Sequence, residues 1–376
     1  MSLAHELNEH FIDRQHVLGP SSACGVTVGM RRKVESIAWV VGMGAAGLVS
    51  LGIVLGSLGG VTFDAELTLY AVGSVLAAFA VAYRFTLWSQ RPPTRRYLSR
   101  GWSFLLSGRL GPWRRVAKAS VIVGEKYLRQ DFIRKRSWYR WVMHLCLSGG
   151  CTLAFAITFP LVFGWVHFEP FGGDASVYGV SVFGVVVDRF PVDGWRAFFL
   201  FNALNIAGVI VLVGVLMALL RRLTDAGERA TQRFTEEFVP LFLILAVTVT
   251  GLALTVSYKL LAGSGHSFLA VVHMFSVLGL LFYIPFGKLF HMFQRVCSLC
   301  VTWYRQEGES GPQAACVSCL LPFASSMHVD DLKDVLDELG FNYRYRIEGR
   351  EVHYQDVCPA CRRRFVTVSQ GESIGR

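Results

Sequence analysis

Six stretches of this 376-residue chain, roughly 37–60, 66–88, 140–166, 196–220, 238–260 and 267–292, are long and apolar enough to cross a bilayer. A helix needs about 20 apolar residues for that. This feature removes most fold classes. Lipid cannot satisfy backbone N–H and C=O groups, so a spanning segment must be a helix or part of a closed barrel. Composition agrees, with 53% hydrophobic residues, 17% charged residues and a mean hydropathy of +0.43. Those values are too apolar for an ordinary soluble enzyme. The expected fold class is an all-α integral membrane helix bundle of six transmembrane helices, with a small α+β tail after the last span.

The net charge of +10 is concentrated between spans. The connection from Arg84 to Arg140 is rich in Arg and Lys and holds only Glu125 and Asp131 as acids, and Arg221, Arg222, Arg229 and Arg233 add to the 221–233 connection. The 167–194 connection is net acidic. The positive-inside rule therefore predicts both termini in the cytoplasm. Membrane lipid is the expected partner of these bases, because they lie beside spans where anionic headgroups explain them, and no nucleic-acid role is expected. Residues 1–36 read as a cytoplasmic N-terminal tail carrying His5, His10, His16 and Cys24, with no signal-peptide pattern. Residues 37–295 read as the membrane domain. Within it, 92–138 mixes apolar and basic residues and predicts amphipathic helices lying on the cytoplasmic surface. The Gly- and Val-rich 171–194 connection predicts a small outer cap, and residues 296–376 read as a Cys-rich metal-binding cytoplasmic domain.

The last span, "HMFSVLGLLFYIPFGKLFH", has a histidine at each end, His273 and His291. Ionisable side chains in a span are costly and carry a functional reading by default. Eighteen residues at about 100° each return a continuous helix to one face after about 27 Å. The two imidazoles would then face one way near opposite sides of the bilayer, an arrangement suited to haem ligation within a bundle. His144 on the third span is the expected partner of His291, since both lie near the cytoplasmic surface. Gly149 and Gly150 leave room for a macrocycle or allow close helix packing. Arg140, Lys288 and Arg295 lie at a depth suited to haem propionates, or snorkel as interface bases.

This last span resembles that of the gamma subunit of respiratory nitrate reductase and related quinol-linked oxidoreductases, with two histidines at this spacing and Pro285-Phe286 before the second. Residues 66–292 match that five-helix plan, and the first span is extra. The resemblance implies a membrane cytochrome b subunit that oxidises quinol and passes electrons to a cytoplasmic iron–sulfur partner and its molybdenum-type catalytic subunit. It also implies a bacterial or archaeal cytoplasmic membrane. The family's two-haem members carry a further histidine ten residues along the facing helix. Here that position is Ala154. One haem b is therefore the expectation and two the alternative. In the one-haem case His273 serves the quinol site, where a histidine suits proton acceptance. Lys259, His266, His167 and Glu169 are further candidates near the outer surface.

Six of the nine cysteines lie in the tail: Cys297, Cys300, Cys316, Cys319, Cys358 and Cys361. "CVSC" at 316–319 and "CPAC" at 358–361 form a C-x₂-C…C-x₂-C pair, which in a reducing compartment favours metal over disulfide. Four thiolates predict a zinc-ribbon-like site, with a rubredoxin-like iron as the alternative. Leu320 follows the first pair where rubredoxin-type knuckles usually have Gly. "CSLC" at 297–300 could instead join Cys316 and Cys319. Between the pairs, the pattern predicts a helix from His328 to Leu339 with Gly340 as its cap, and then strands. A transporter, or a membrane-anchored zinc-domain scaffold without redox role, is the rival reading of the whole chain. The spans show no inverted repeat to support a transporter.

Overall fold

A computed structural model describes residues 23–60, 63, 65–107, 111–341, 343–347 and 350–373. The expected N-terminal histidines lie outside the described residues. Along the chain, helix α1 covers Ala23–Gly56 and α2 covers Thr68–Ser89. The basic connection forms α3 (Pro92–Ser107) and α4 (Pro112–Val123). Helix α5 (Trp138–Val162) leads into an antiparallel sheet of β1 (Val166–Phe171), β2 (Asp174–Val182) and β3 (Val185–Pro191). Then follow α6 (Trp195–Thr224), α7 (Val239–Leu260), α8 (His266–Phe286), the short α9 (His291–Val296) and α10 (Ser298–Glu309). The tail adds β4 (Gln313–Ala315), β5 (Pro322–Ser325), α11 (Ser326–Glu338), β6 (Arg344–Ile347), β7 (Arg350–His353) and α12 (Pro359–Ser373).

Six of these helices are long and apolar enough to span a membrane: α1 from Arg32, α2, α5, α6, α7 with the turn before it, and α8. The chain is thus an integral membrane protein. The expected first span is real, but its helix starts well before residue 37.

The chain divides into two compact units. One comprises 37–86 and 123–294, and the other 1–36, 87–122 and 295–376. In this division α3 and most of α4 fall with residues 295–376 and not with the spans.

In the membrane unit, small residues let helices approach closely, the usual solution where lipid offers no hydrophobic drive for association. A Cβ on Gly150 would lie 2.6 Å from a Val211 methyl, and one on Gly214 would lie 2.8 Å from the Leu147 amide nitrogen. Gly150 therefore serves α5–α6 packing and not room for a macrocycle, whereas nothing lies within 4 Å of a Cβ on Gly149. Val211, Val215 and Ile244 form a core on which Leu147, Cys151, Leu280 and Leu289 pack.

The last span is not one continuous helix. Pro285 cannot donate to the helical ladder, and Gly287 turns extended (φ −93°, ψ −168°), ending α8 at Phe286. Arg84 of α2 holds this end. Its guanidinium donates to the Pro285 carbonyl and stands 4.4 Å from the Phe290 ring centre. The single-helix argument that put His273 and His291 on one face therefore does not apply, because His291 opens a separate short helix.

In the other unit, α3 packs on α10 and α11. A Cβ on Gly101 of α3 would lie 2.4 Å from Cys300 Cβ, so glycine is what permits this contact. Asp331 of α11, 4% exposed, ties the three helices together. It accepts from Tyr304 Oη at 2.8 Å and from Arg100 Nη2 at 3.1 Å, with Arg96 Nε at 3.7 Å. Burial, then the Asp331 bond and charge, push the Tyr304 phenol well above its ordinary range. Among the apolar residues of the tail, Val335 and Val357 are buried, Leu336 is half-buried, and Leu339 and Phe341 are exposed.

Candidate metal centre and membrane histidines

The two Cys pairs come together as the spacing predicts. The tight β4–β5 connection carries Cys316 and Cys319. Leu320 follows with φ +61°, the left-handed region that glycine would suit. The knuckle thus has the backbone turn associated with Gly and accepts a strained leucine, at a cost of about 1–2 kcal/mol. Cys358 precedes α12, where Pro359 suits the first helical position, and Cys361 lies in its first turn. The helix α11 begins at Ser326, two residues before the expected His328, with Ser325 Oγ accepting from the His328 amide, and Gly340 follows its end at φ +76°.

The Sγ atoms of Cys316, Cys319, Cys358 and Cys361 all lie within 4.8 Å of one another. Tetrahedral zinc with Zn–S bonds of 2.3 Å puts sulfurs about 3.8 Å apart. The Cys319 and Cys358 sulfurs are 3.8 Å apart. Backbone amides already point at the cluster, Cys358 N–H to Cys316 Sγ at 3.2 Å and Cys361 N–H to Cys358 Sγ at 3.4 Å. Burial works against ionising Cys316, but amide donors from Cys358, Cys319 and Ser318 outweigh it and bring the thiol down to about 7. Burial, with the neighbouring thiols, pushes Cys361 up to about 12. So many thiols cannot ionise together without a cation among them. Val357, Phe323, Val352 and Phe365 enclose the site. The four cysteines can therefore hold a metal ion such as zinc.

"CSLC" is not part of this group. Cys297 caps α10 and Cys300 is buried against Gly101. Burial pushes both thiols up, Cys300 to about 11, which suits inert packing residues.

In the membrane unit three of the histidines, His144, His273 and His291, each have Nδ1 within hydrogen-bond reach of an oxygen. Gln130, buried and at φ +50°, donates through Nε2 to the Tyr127 carbonyl and to Ser148 Oγ. Its Oε1 therefore faces His144 Nδ1, 2.7 Å away, and that nitrogen must donate. His291 Nδ1 donates to the Lys288 carbonyl at 2.7 Å. Thr250 Oγ1 donates to the Ala246 carbonyl and lies 2.9 Å from His273 Nδ1. For His144 and His291 the neutral imidazole thus carries its lone pair on Nε2. An outer partner that fixes the tautomer in this way is the usual companion of a metal-ligating histidine. Neither Gln130 nor Thr250 stands out from its neighbours in the sequence.

Two of the three expected propionate bases, Arg140 and Lys288, are engaged elsewhere. Arg140 lies 3.7 Å from Glu228 and 4.0 Å from Asp225, and Lys288 pairs with Glu237, which also holds Arg222. At the other end of the spans, Lys259 donates to Asn202 Oδ1 at 3.0 Å and Thr255 to Asn205 Oδ1 at 2.8 Å. These two asparagines lie three apart on α6, in "FNALNIAG", and carry no charge to mark them in the sequence. His167 lies on β1 with a buried Nε2 that makes no hydrogen bond among the described residues, Glu169 is exposed on the same strand, and His266 opens α8. Comparison of the chain with family models, with curated proteins and with solved structures finds no match.

Proposed function

We propose that the chain is the membrane cytochrome b subunit of a quinol-linked oxidoreductase complex, with His144 and His291 holding one haem and a zinc-bearing cytoplasmic tail. The observation that carries this reading is the shared state of the two imidazoles, each with Nδ1–H bound to an oxygen at 2.7 Å and its lone pair on Nε2. The packing supports the pairing. Leu147, one turn beyond His144, and Leu289, two residues before His291, rest on the same Val211–Val215–Ile244 core. A bound haem supplies one-electron transfer between quinol and a cytoplasmic iron–sulfur partner.

The chain's own residues would orient the two imidazoles that hold the haem. Gln130 and the Lys288 carbonyl hold the ring orientations, and Gln130 is itself held by Tyr127 and Ser148. His273, oriented by Thr250, is the candidate proton acceptor for quinol. The resemblance of the last span to the nitrate reductase gamma subunit supports the same reading and a bacterial or archaeal cytoplasmic membrane. His144→Ala and His291→Ala should each remove the same spectral component, while His273→Ala keeps it and slows reduction by quinol. Loss of different components in the first two variants, or of none, contradicts the pairing.

A further inference from the structure

Helix α4 is turned inside out for a soluble surface helix. Arg115, Lys118, Ala119 and Ile122 recur at helical spacing and face the protein. Arg115 Nη1 donates to the carbonyl of Leu105 at 3.1 Å and to that of Leu106, holding the last turn of α3. Lys118 pairs with Glu307 at 3.2 Å and lies 4.7 Å from the Trp303 ring centre, and Ile122 is 2% exposed. The opposite stripe is Trp113, Val116, Ala117, Ser120 and Val121. Its large members are 84%, 58% and 59% exposed, for Trp113, Val116 and Val121. Arg114, beside Val121 at the edge of this stripe, is exposed, but Arg115 and Lys118 face inward, so the centre of the outward face is apolar and is not a solvated face.

We infer that this stripe of α4 lies in the headgroup region of the bilayer, as an in-plane helix anchoring its unit to the leaflet from which the connection emerges. The chain's course argues for lipid as the occupant. Residues 90–137 leave the span α2 and enter the span α5, so α4 is tethered to the membrane at both ends. The connection carries thirteen Arg and Lys against Glu125 and Asp131, which complements anionic headgroups. Trp113 opens the stripe, and tryptophan favours the membrane–water interface. Leu106 of α3, 69% exposed, adds further outward apolar surface.

The test places benzoylphenylalanine at Val116, at Val121, at the inward-facing Ala119, and at Leu216 of the span α6 as reference, in the full chain. Each variant is reconstituted in vesicles of phosphatidylethanolamine and phosphatidylglycerol and illuminated, and adducts are read by mass spectrometry. Lipid adducts at 116 and 121 within fivefold of the Leu216 yield, with cross-links within the chain at 119, are the expected result. Yields at 116 and 121 more than fivefold below that reference, or cross-links there to a second copy or another protein, would overturn the inference.

Discussion

The two units solve opposite problems. In the membrane unit, many hydroxyl groups bond within their own helix, as Ser148 does to the His144 carbonyl, Thr248 to Ile244 and Ser276 to Val272, each at 2.7–2.8 Å. Helices meet there mainly through glycines and aliphatic side chains, with a few polar links such as Thr255 to Asn205. In the other unit, contacts join residues far apart in sequence through charge, as Asp331 does with Arg100, and through four thiols. A span must satisfy itself before it meets its neighbours. A small polar unit with little core needs staples.

The comparison is broken most severely by removing the thiol staple. Cys316→Ser with Cys358→Ser should abolish tail metal, since structural zinc contributes on the order of 10–16 kcal/mol in small domains. Hydrogen exchange should then rise across 313–373 and stay unchanged in the spans. Equal loosening of both units would show that they are not energetically separate.

Asp331→Ala tests the charge staple. It leaves the buried Tyr304 hydroxyl without its acceptor and the partly exposed Arg100 and Arg96 without their carboxylate, and should cost about 2–3 kcal/mol. Protease sensitivity should appear in α3 and α11 while tail metal content stays at one per chain. Smaller effects should follow from glycine substitutions, each about 1–3 kcal/mol by overpacking. Gly101→Ala should loosen α3 from α10, and Gly150→Ala should loosen α5 from α6, whereas Gly149→Ala should be nearly neutral because that side is open. Thermal unfolding in detergent would rank the three. The smallest effect is expected from Cys297→Ser with Cys300→Ser, which should leave the tail metal bound. Release of metal from that variant would contradict the four-Cys assignment.

How far the sequence reveals this architecture depends on the kind of signal. The spans were legible because twenty apolar residues in a row admit few alternatives. The Cys cluster was legible because its spacing already encodes two knuckles. The partition of the basic connection was not. Amphipathy told that α3 and α4 have two faces, but the choice between lipid and protein for each face depends on Asp331 and Glu307, more than 180 residues away. The break at Gly287 was also hidden, since the run from His273 to His291 keeps its hydropathy through Pro285, and the stabilising Arg84 is two hundred residues earlier. Gln130 lay in a connection whose polar residues look alike, and only its left-handed backbone and burial set it beside His144.

The central claim is that His144 and His291 serve a haem, and a reduced-minus-oxidised absorption spectrum of the purified full chain tests it most directly. The predicted result is a b-type signal corresponding to about one haem per chain from a single histidine pair. Purified, folded protein that retains its tail metal and shows no haem signal would contradict it.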